Sequence, residues 1–352
     1  MQWYAKLTEA LSSMGYKHSE NDYLLFSKKI SSSTIFVVVY VDDVFITGID
    51  SVEIANLKAF FDKQFRIKGL GRLYYFLGLE VLYKPDGVII SQRKFALDLL
   101  KEYDCFAYSS LSSPLDPTLK LKANEGTLLP DLTYYRKLVG KLNFLTDTRL
   151  DIAYNVQLLI QFMQAPRDTH LTATFHLLIY LKKDPTLGIF YSNNSGYSIF
   201  AYCDFDWAAC PDSRRSITGY IIPVGDSPIS RKSKKQKTIS LSSAEVEYRS
   251  LMKVVGELVW LSRLFEELTI PQSSPIDVFW DSQSAIHIPH NPMFHEQTKH
   301  IEVDCHFDDM NVKRKGEIMV DFEWLSAMVA AETPWLVEWI VVMEKNEDKK
   351  MK

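Results

Sequence analysis

Five carboxylates carry the chemistry this chain is equipped for. Asp42 and Asp43 stand side by side between a largely apolar run at 37–41 and another at 44–46, which ends at Thr47-Gly48. Two strands joined by a tight turn read this way, with the acids at the turn. Adjacent carboxylates repel one another and are costly beside buried strands, so a divalent cation is their natural compensation. A solvated Asp-Asp hairpin turn is the plainer reading. Asp204 follows the apolar stretch 199–203, Glu247 lies in the first turns of a long helical pattern, and Asp281 follows the apolar 278–280. Two acids at strand ends and one on a helix, gathered by a mixed sheet, would make a pocket for two Mg²⁺ (or Mn²⁺) ions. Oxygen ligands suit such metals, and two ions roughly 3.5–4 Å apart activate a water and stabilise a leaving phosphodiester oxygen. Singly, Asp204 is equally well a turn residue, Glu247 and its neighbour Glu245 helix N-terminal acids, and Asp281 a helix cap.

The elements that position these acids follow from periodicity. Residues 3–14 have helical spacing with a stop at Gly15; 23–27 and 34–40 read as strands separated by the polar 28–33; and 51–65 reads as a helix. A second hairpin, 73–83 with 87–91, forms around Pro85-Asp86-Gly87, and 92–103 is a short helix. The Ser-, Pro- and Lys-rich 109–124 is a surface linker. Residues 133–183 are helical in at least three pieces, broken near 146–151 and 165–167. A second α/β module starts with strands at 187–191 and 197–202, followed by strands at 219–224 and 238–241, a helix at 243–268 and a strand at 277–280. The charged 346–352 reads as a disordered tail.

At 352 residues two domains are the default expectation. The net charge of −4 gives no overall pull toward nucleic acid, so any such interface has to come from local clusters. Candidates are Lys68, Arg214 and Arg215, and the basic run 232–237 with Lys234, Lys235 and Gln236; a solvated charged face is the alternative. The four cysteines show no C-x-x-C pairing and no secretory leader precedes them, which favours a reducing, intracellular setting. Apolar runs near 35–41 and 335–343 are too short to span a bilayer, so no membrane partner is expected. Five histidines between His287 and His306 lack the paired cysteines or spacing of a zinc finger, and surface or core roles are the better reading.

Tyr40-Val41-Asp42-Asp43 within a hydrophobic hairpin resembles the second metal-binding motif of reverse transcriptases. Other stretches narrow the resemblance to the polymerase and ribonuclease H region of copia-class LTR retrotransposon Pol polyproteins, over roughly residues 2–320. They are Gln2-Trp3-Tyr4 with Asp22-Tyr23-Leu24-Leu25-Phe26, and the segment 69–81 from Gly69-Leu70-Gly71 to Leu79-Glu80-Val81. Ala201-Tyr202-Cys203-Asp204-Phe205-Asp206-Trp207-Ala208, the segment 240–248 around Glu245-Val246-Glu247-Tyr248, and Trp280-Asp281-Ser282-Gln283 resemble that class's ribonuclease H motifs. Leu150 and Arg231 depart from the usual proline and tryptophan.

The resemblance implies an α/β (α+β) chain. Residues 1–108 would be a partial reverse-transcriptase palm and thumb, 109–190 a linker and helical connection, 191–325 a ribonuclease H-like mixed sheet with helices, and 326–352 a divergent tail. It implies Asp42 and Asp43 as polymerase metal ligands and Asp204, Glu247 and Asp281 as nuclease ligands, with Glu245 the alternative to Glu247. The family's upstream palm carboxylate and fingers precede the matching segment, so no polymerase activity is expected from the chain alone. The family's fourth nuclease carboxylate has no counterpart after 316–324. The expected activity is Mg²⁺-assisted hydrolysis of the RNA strand of an RNA–DNA hybrid, with other parts of a Pol polyprotein as possible partners. The rival expectation is a non-catalytic remnant that at most binds nucleic acid.

Overall fold

The computed structural model describes residues 2–116, 118–193, 196–240, 242–270, 272, 275–280, 310–313, 317–320 and 341–345. Asp281 and the histidines from His287 to His306 lie outside them, as does the expected disordered tail.

The chain opens with helix α1 (Gln2–Ser13), stopped at Gly15, whose φ is +86°. Strands β1 (Lys17–His18), β2 (Leu25–Ile30), β3 (Ser33–Tyr40) and β4 (Asp43–Thr47) then form an antiparallel meander. β3 is buried along almost its whole length because it lies between β2 and β4 with a layer on each face. Gly48 ends the meander because a Cβ there would sit 2.5 Å from Ile35 Cδ1 and 2.9 Å from the Thr34 carbonyl oxygen. Asp50 caps helix α2 (Ser51–Phe65) by accepting from the Val52 and Glu53 amides, and Arg66 closes it in the left-handed region. Leu7 and Leu11 of α1 and Ile54, Leu57 and Phe61 of α2 pack onto Val37, Val39, Val44 and Ile46.

Strands β5 (Ile67–Arg72), β6 (Tyr75–Phe76), β7 (Leu79–Lys84) and β8 (Gly87–Ser91) follow. The long strand expected at 73–83 is interrupted at Leu77 and Gly78, both with positive φ. β6, β7 and β8 form a small antiparallel sheet whose Phe76, Val81 and Val88 meet Phe45 on the other face of the meander. Its fourth strand is β9 (Ile189–Ser192), paired along β8 from Ile90↔Ile189 to Gly87↔Ser192. From sequence this segment was expected at the head of the second module; its pairing returns it to the first. Between β8 and β9, helices α3 (Arg93–Glu102), α4 (Leu132–Leu145), α5 (Ala153–Ile160) and α6 (Asp168–Leu181) bury one apolar cluster around Tyr135, Leu138, Leu142, Val156 and Leu177. The helix breaks fall where expected, and no helix or strand occupies the described part of the 109–124 linker.

The second large sheet is built on β10 (Phe200–Asp206), flanked by antiparallel β11 (Ile217–Val224) and parallel β13 (Ile276–Phe279). β12 (Ser227–Lys235) lies outside β11, so the expected strand at 238–241 is replaced by one that ends just before it. On the other side β15 (Glu317–Val320) pairs with β13, and β14 (Met310–Lys313) pairs with β15. Helix α7 (Ser243–Glu267) packs Leu251, Val254 and Leu258 against Ala201, Tyr220 and Ile222. Its last turns reach the first module: Glu267 accepts from the Glu20 amide at 3.1 Å and Asn21 Nδ2 at 2.7 Å and binds the Ser19 hydroxyl, while Trp260 Nε1 donates to the Asn21 carbonyl.

The final described strand, β16 (Val341–Lys345), inserts between β4 and β5, giving the first sheet the order β1-β2-β3-β4-β16-β5. Part of the expected divergent tail is thus a component of the first sheet. The fold class is mixed α/β, with several sheets and helices, as expected.

Candidate metal and nucleic-acid site

Tyr40 pairs with Asp43 across a two-residue turn made of Val41 and Asp42. Asp42 is therefore the turn residue and is exposed; Asp43 is the first residue of β4 and is half-buried. Val41 takes φ +52°, a conformation unfavourable for a β-branched side chain. The exposed Tyr40 ring stands edge-on to Phe76 at 5.7 Å, which fixes one flank of the turn. Beyond Asp43, the ladder continues into β16, where Glu344 occupies the register position opposite Asp43.

In the second sheet, Asp204 is the fifth residue of β10, inside the strand rather than at its end. It is exposed, and one carboxylate oxygen accepts from the Phe205 amide at 2.8 Å. Residues opposite one another in an antiparallel pair share a face. Phe205 is opposite Thr218, whose hydroxyl bonds Ser250 of α7 at 2.9 Å, so the odd-numbered residues of β10 face α7. Asp204 and Asp206 face the other way, toward α5, where burial first and then Asp206 push the Tyr154 hydroxyl above its ordinary range. Glu247 is buried on α7, one turn before Ser250, level with the end of β10. Asp204 and Glu247 thus reach the same end of the sheet from its two faces. β13 stops opposite Tyr202, so on that side β10 runs past its parallel neighbour before Asp204 is reached. Asp281 follows Phe279 by two positions in sequence, as Asp204 follows Tyr202, and lies outside the described residues.

Glu245 is also buried, and its carboxylate pairs with Arg249 one turn on, at 2.7 Å. Ser242 caps the helix by accepting from the Glu245 amide. Among the described residues, no group of three or more His, Cys, Asp and Glu side chains is placed to hold a metal ion.

The basic residues divide by environment. Lys68 is exposed on β5, and Arg214 and Arg215 are exposed in the turn between β10 and β11. Lys232 and Lys234 are exposed on the edge strand β12, opposite Tyr220 and Thr218 and hence on the α7 face. There they meet Lys253 of α7: partial burial, then the charges of Lys232, Arg249 and Lys234, hold its ammonium below the ordinary lysine range. Lys253 and Arg249 were not foreseen from sequence because their only signal is a position on α7 beside a strand that was itself not expected. Lys235 is turned inward, with Nζ 2.7 Å from Gln161 Oε1 and 3.1 Å from Cys210 Sγ. Gln236 is buried, donating to Thr218 Oγ1 and accepting from the Ser240 hydroxyl, so its amide serves the sheet.

A family model described as reverse transcriptase (RNA-dependent DNA polymerase) matches residues 1–117, the segment that carries the paired-aspartate hairpin. This places the first module in the reverse-transcriptase class. The retrovirus-related Pol polyprotein from transposon RE1 of Arabidopsis thaliana is 39% identical over 87% of this chain and 21% of its own length. The corresponding polyprotein from transposon TNT 1-94 of Nicotiana tabacum is 32% identical over 89% of this chain and 24% of its own length. An uncharacterized mitochondrial protein of Arabidopsis thaliana is 36% identical over 65% of this chain and 95% of its own length. The chain belongs to the reverse-transcriptase family of copia-type retrotransposon Pol polyproteins, and it spans under a quarter of the length of the two polyproteins. No solved structure matches it significantly. Among the described residues, no helix is long and apolar enough to cross a membrane.

Proposed function

We propose that the chain carries the polymerase hairpin and the ribonuclease H module of a retrotransposon Pol polyprotein, and that it hydrolyses the RNA strand of RNA–DNA hybrids. The observation that carries this reading is the approach of Asp204 and Glu247 to one end of the second sheet, with a basic patch of Lys232, Lys234, Arg249 and Lys253 on the α7 side. Two strand spacings, roughly 10 Å, separate β10 from β12, so a backbone held by the patch on the α7 face runs on the side from which Glu247 approaches. The donor set is all carboxylate, which suits Mg²⁺ or Mn²⁺. Asp204 and Glu247, with Asp281 as the third ligand, would hold the nuclease metal; Asp42 and Asp43 would hold a metal at the hairpin. Bound there, the metal would lower the pKa of a water and stabilise charge on the phosphate. Glu247 is preferred to Glu245 because its Glu247-Tyr248 context fits the resembling motif better.

Incubation of a labelled hybrid with the chain and Mg²⁺ is expected to give RNA-strand cleavage that falls at least about 100-fold in Asp204→Asn, the scale expected when an essential charge-stabilising group is lost. No cleavage, or equal cleavage by the variant, overturns the enzymatic reading. One observation favours a second reading, a nucleic-acid-binding remnant: Asp204 and Glu247 approach from opposite faces of the sheet. Its signature is hybrid binding that weakens steeply with salt, without cleavage.

A further inference from the structure

Gln236 lies where the two chain segments that carry Asp204 and Glu247 are fastened to one another. It follows β12 directly, and only 3% of its surface is exposed. Its amide N–H donates to the Ser216 carbonyl at 2.8 Å, its Nε2 donates to Thr218 Oγ1 at 3.0 Å, and its Oε1 accepts from the Ser240 hydroxyl at 3.3 Å. From these three partners a polar network runs two ways. Toward α7, Thr218 Oγ1 bonds Ser250 Oγ at 2.9 Å, and Ser250 lies three residues past Glu247, on the same side of the helix. Toward β10, the Ser216 hydroxyl accepts from the Ala208 amide at 3.0 Å and the Ser240 carbonyl accepts from Trp207 Nε1 at 3.4 Å, just past the end of the strand that carries Asp204 and Asp206. Ser216, Thr218, Ser240 and Ser250 are all buried, so a lost bond leaves a desolvated partner behind.

We propose that Gln236 is a positioning residue, whose side chain sets the stance of α7 against the end of β10 and so the place of Glu247 relative to Asp204. The inference rests on the nuclease reading above. The two acids approach from opposite faces of the sheet, so no direct contact between them can fix their separation; a link that passes through the sheet has to do it. The Gln236 amide is that link. Its Nε2 supplies Thr218 with a donor, which leaves the Thr218 hydroxyl's own proton for Ser250, and its Oε1 holds the Ser240 segment on which Trp207 rests. Mg²⁺ demands near-ideal octahedral geometry, so a small shift of one carboxylate costs affinity at once.

The test compares the full chain with Gln236→Met, which fills the same space and serves neither branch, and with Thr218→Val, which cuts only the branch to α7. Both variants are expected to raise amide exchange over residues 246–251 while 220–224 of β11 stay protected, and Gln236→Met alone is expected to raise it over 207–209. Mg²⁺ binding followed by calorimetry is expected to weaken about tenfold or more in each, the scale on which groups that orient metal ligands act. On a labelled hybrid, kcat is expected to fall by a similar factor with KM unchanged, because the basic patch that holds the backbone is untouched. Exchange over 246–251 equal to the parent's overturns the proposal. So do Mg²⁺ binding and kcat equal to the parent's in a variant whose exchange has risen, since the network then holds the fold alone. A Gln236→Met chain that loses protection over 220–224 has unfolded, and Thr218→Val then decides by the same criteria. A parent chain that neither binds Mg²⁺ nor cleaves overturns the nuclease reading, and with it the proposed role; a parent that does both leaves the variants to decide the role alone.

Discussion

Val41 carries its cost in the backbone. A β-branched residue at φ +52° forfeits of order 1–3 kcal/mol, and glycine takes the same conformation without penalty while losing part of the gain to unfolded-chain entropy. Val41→Gly is therefore expected to stabilise the first module by about 1 kcal/mol, read as a higher urea midpoint. Asp42 and Asp43 were legible because two adjacent acids that interrupt an apolar run mark either a turn or a cation site. Their division into turn residue and strand residue was not, since it depends on the register Tyr40↔Asp43. Lys235 and Gln236 show the reverse. A basic run looks like a phosphate grip, yet strand alternation and the neighbouring α5 turn Lys235 inward, and the sheet's own hydrogen bonds bury Gln236.

Helix α6 begins with a buried histidine. His170 stacks on Phe162 at 3.9 Å, its Nδ1 accepts from the Arg167 amide, and Nε2–H donates to the Lys122 carbonyl. That pattern requires the neutral ring, and burial, the largest influence, holds it below the ordinary histidine range; the Lys122 bond works the other way. Between the folded value and the unfolded value of about 6.5, the unfolded chain binds more protons, so stability falls as pH drops through that window. The thermal midpoint of the helical block is expected to decline on going below about pH 6.5, and the decline is expected to flatten in His170→Asn. A midpoint independent of pH in that range contradicts the neutral ring. At this scale helices were read well, because each apolar stripe has one period. Strands were read less well: β12 presents alternating lysines along an edge, which is how edge strands avoid unwanted pairing but also how solvated loops look. β9 was assigned to the wrong neighbour because a four-residue apolar run does not say which sheet it joins.

Glu267 is one of the ties between the two halves. One carboxylate at the end of α7 collects the Ser19 hydroxyl, the Glu20 amide and the Asn21 side chain, with Trp260 alongside. Glu267→Ala is expected to raise amide exchange of residues 19–22 about tenfold or more while leaving that of β10 and β11 unchanged, since charge-assisted bonds of this kind contribute roughly 1.5–3 kcal/mol. Contacts nearly 250 residues apart leave no periodic trace, so neither this tie nor the place of β16 was readable beforehand. That last strand has a consequence in time. The edges of β4 and β5 remain open on the ribosome until residues 341–345 emerge, almost 300 residues after β4. At the usual 5–20 residues per second that is a wait of roughly 15–60 s, during which the aspartate turn stands on an unfinished sheet. Biogenesis of the first module is thereby tied to synthesis of the last strand.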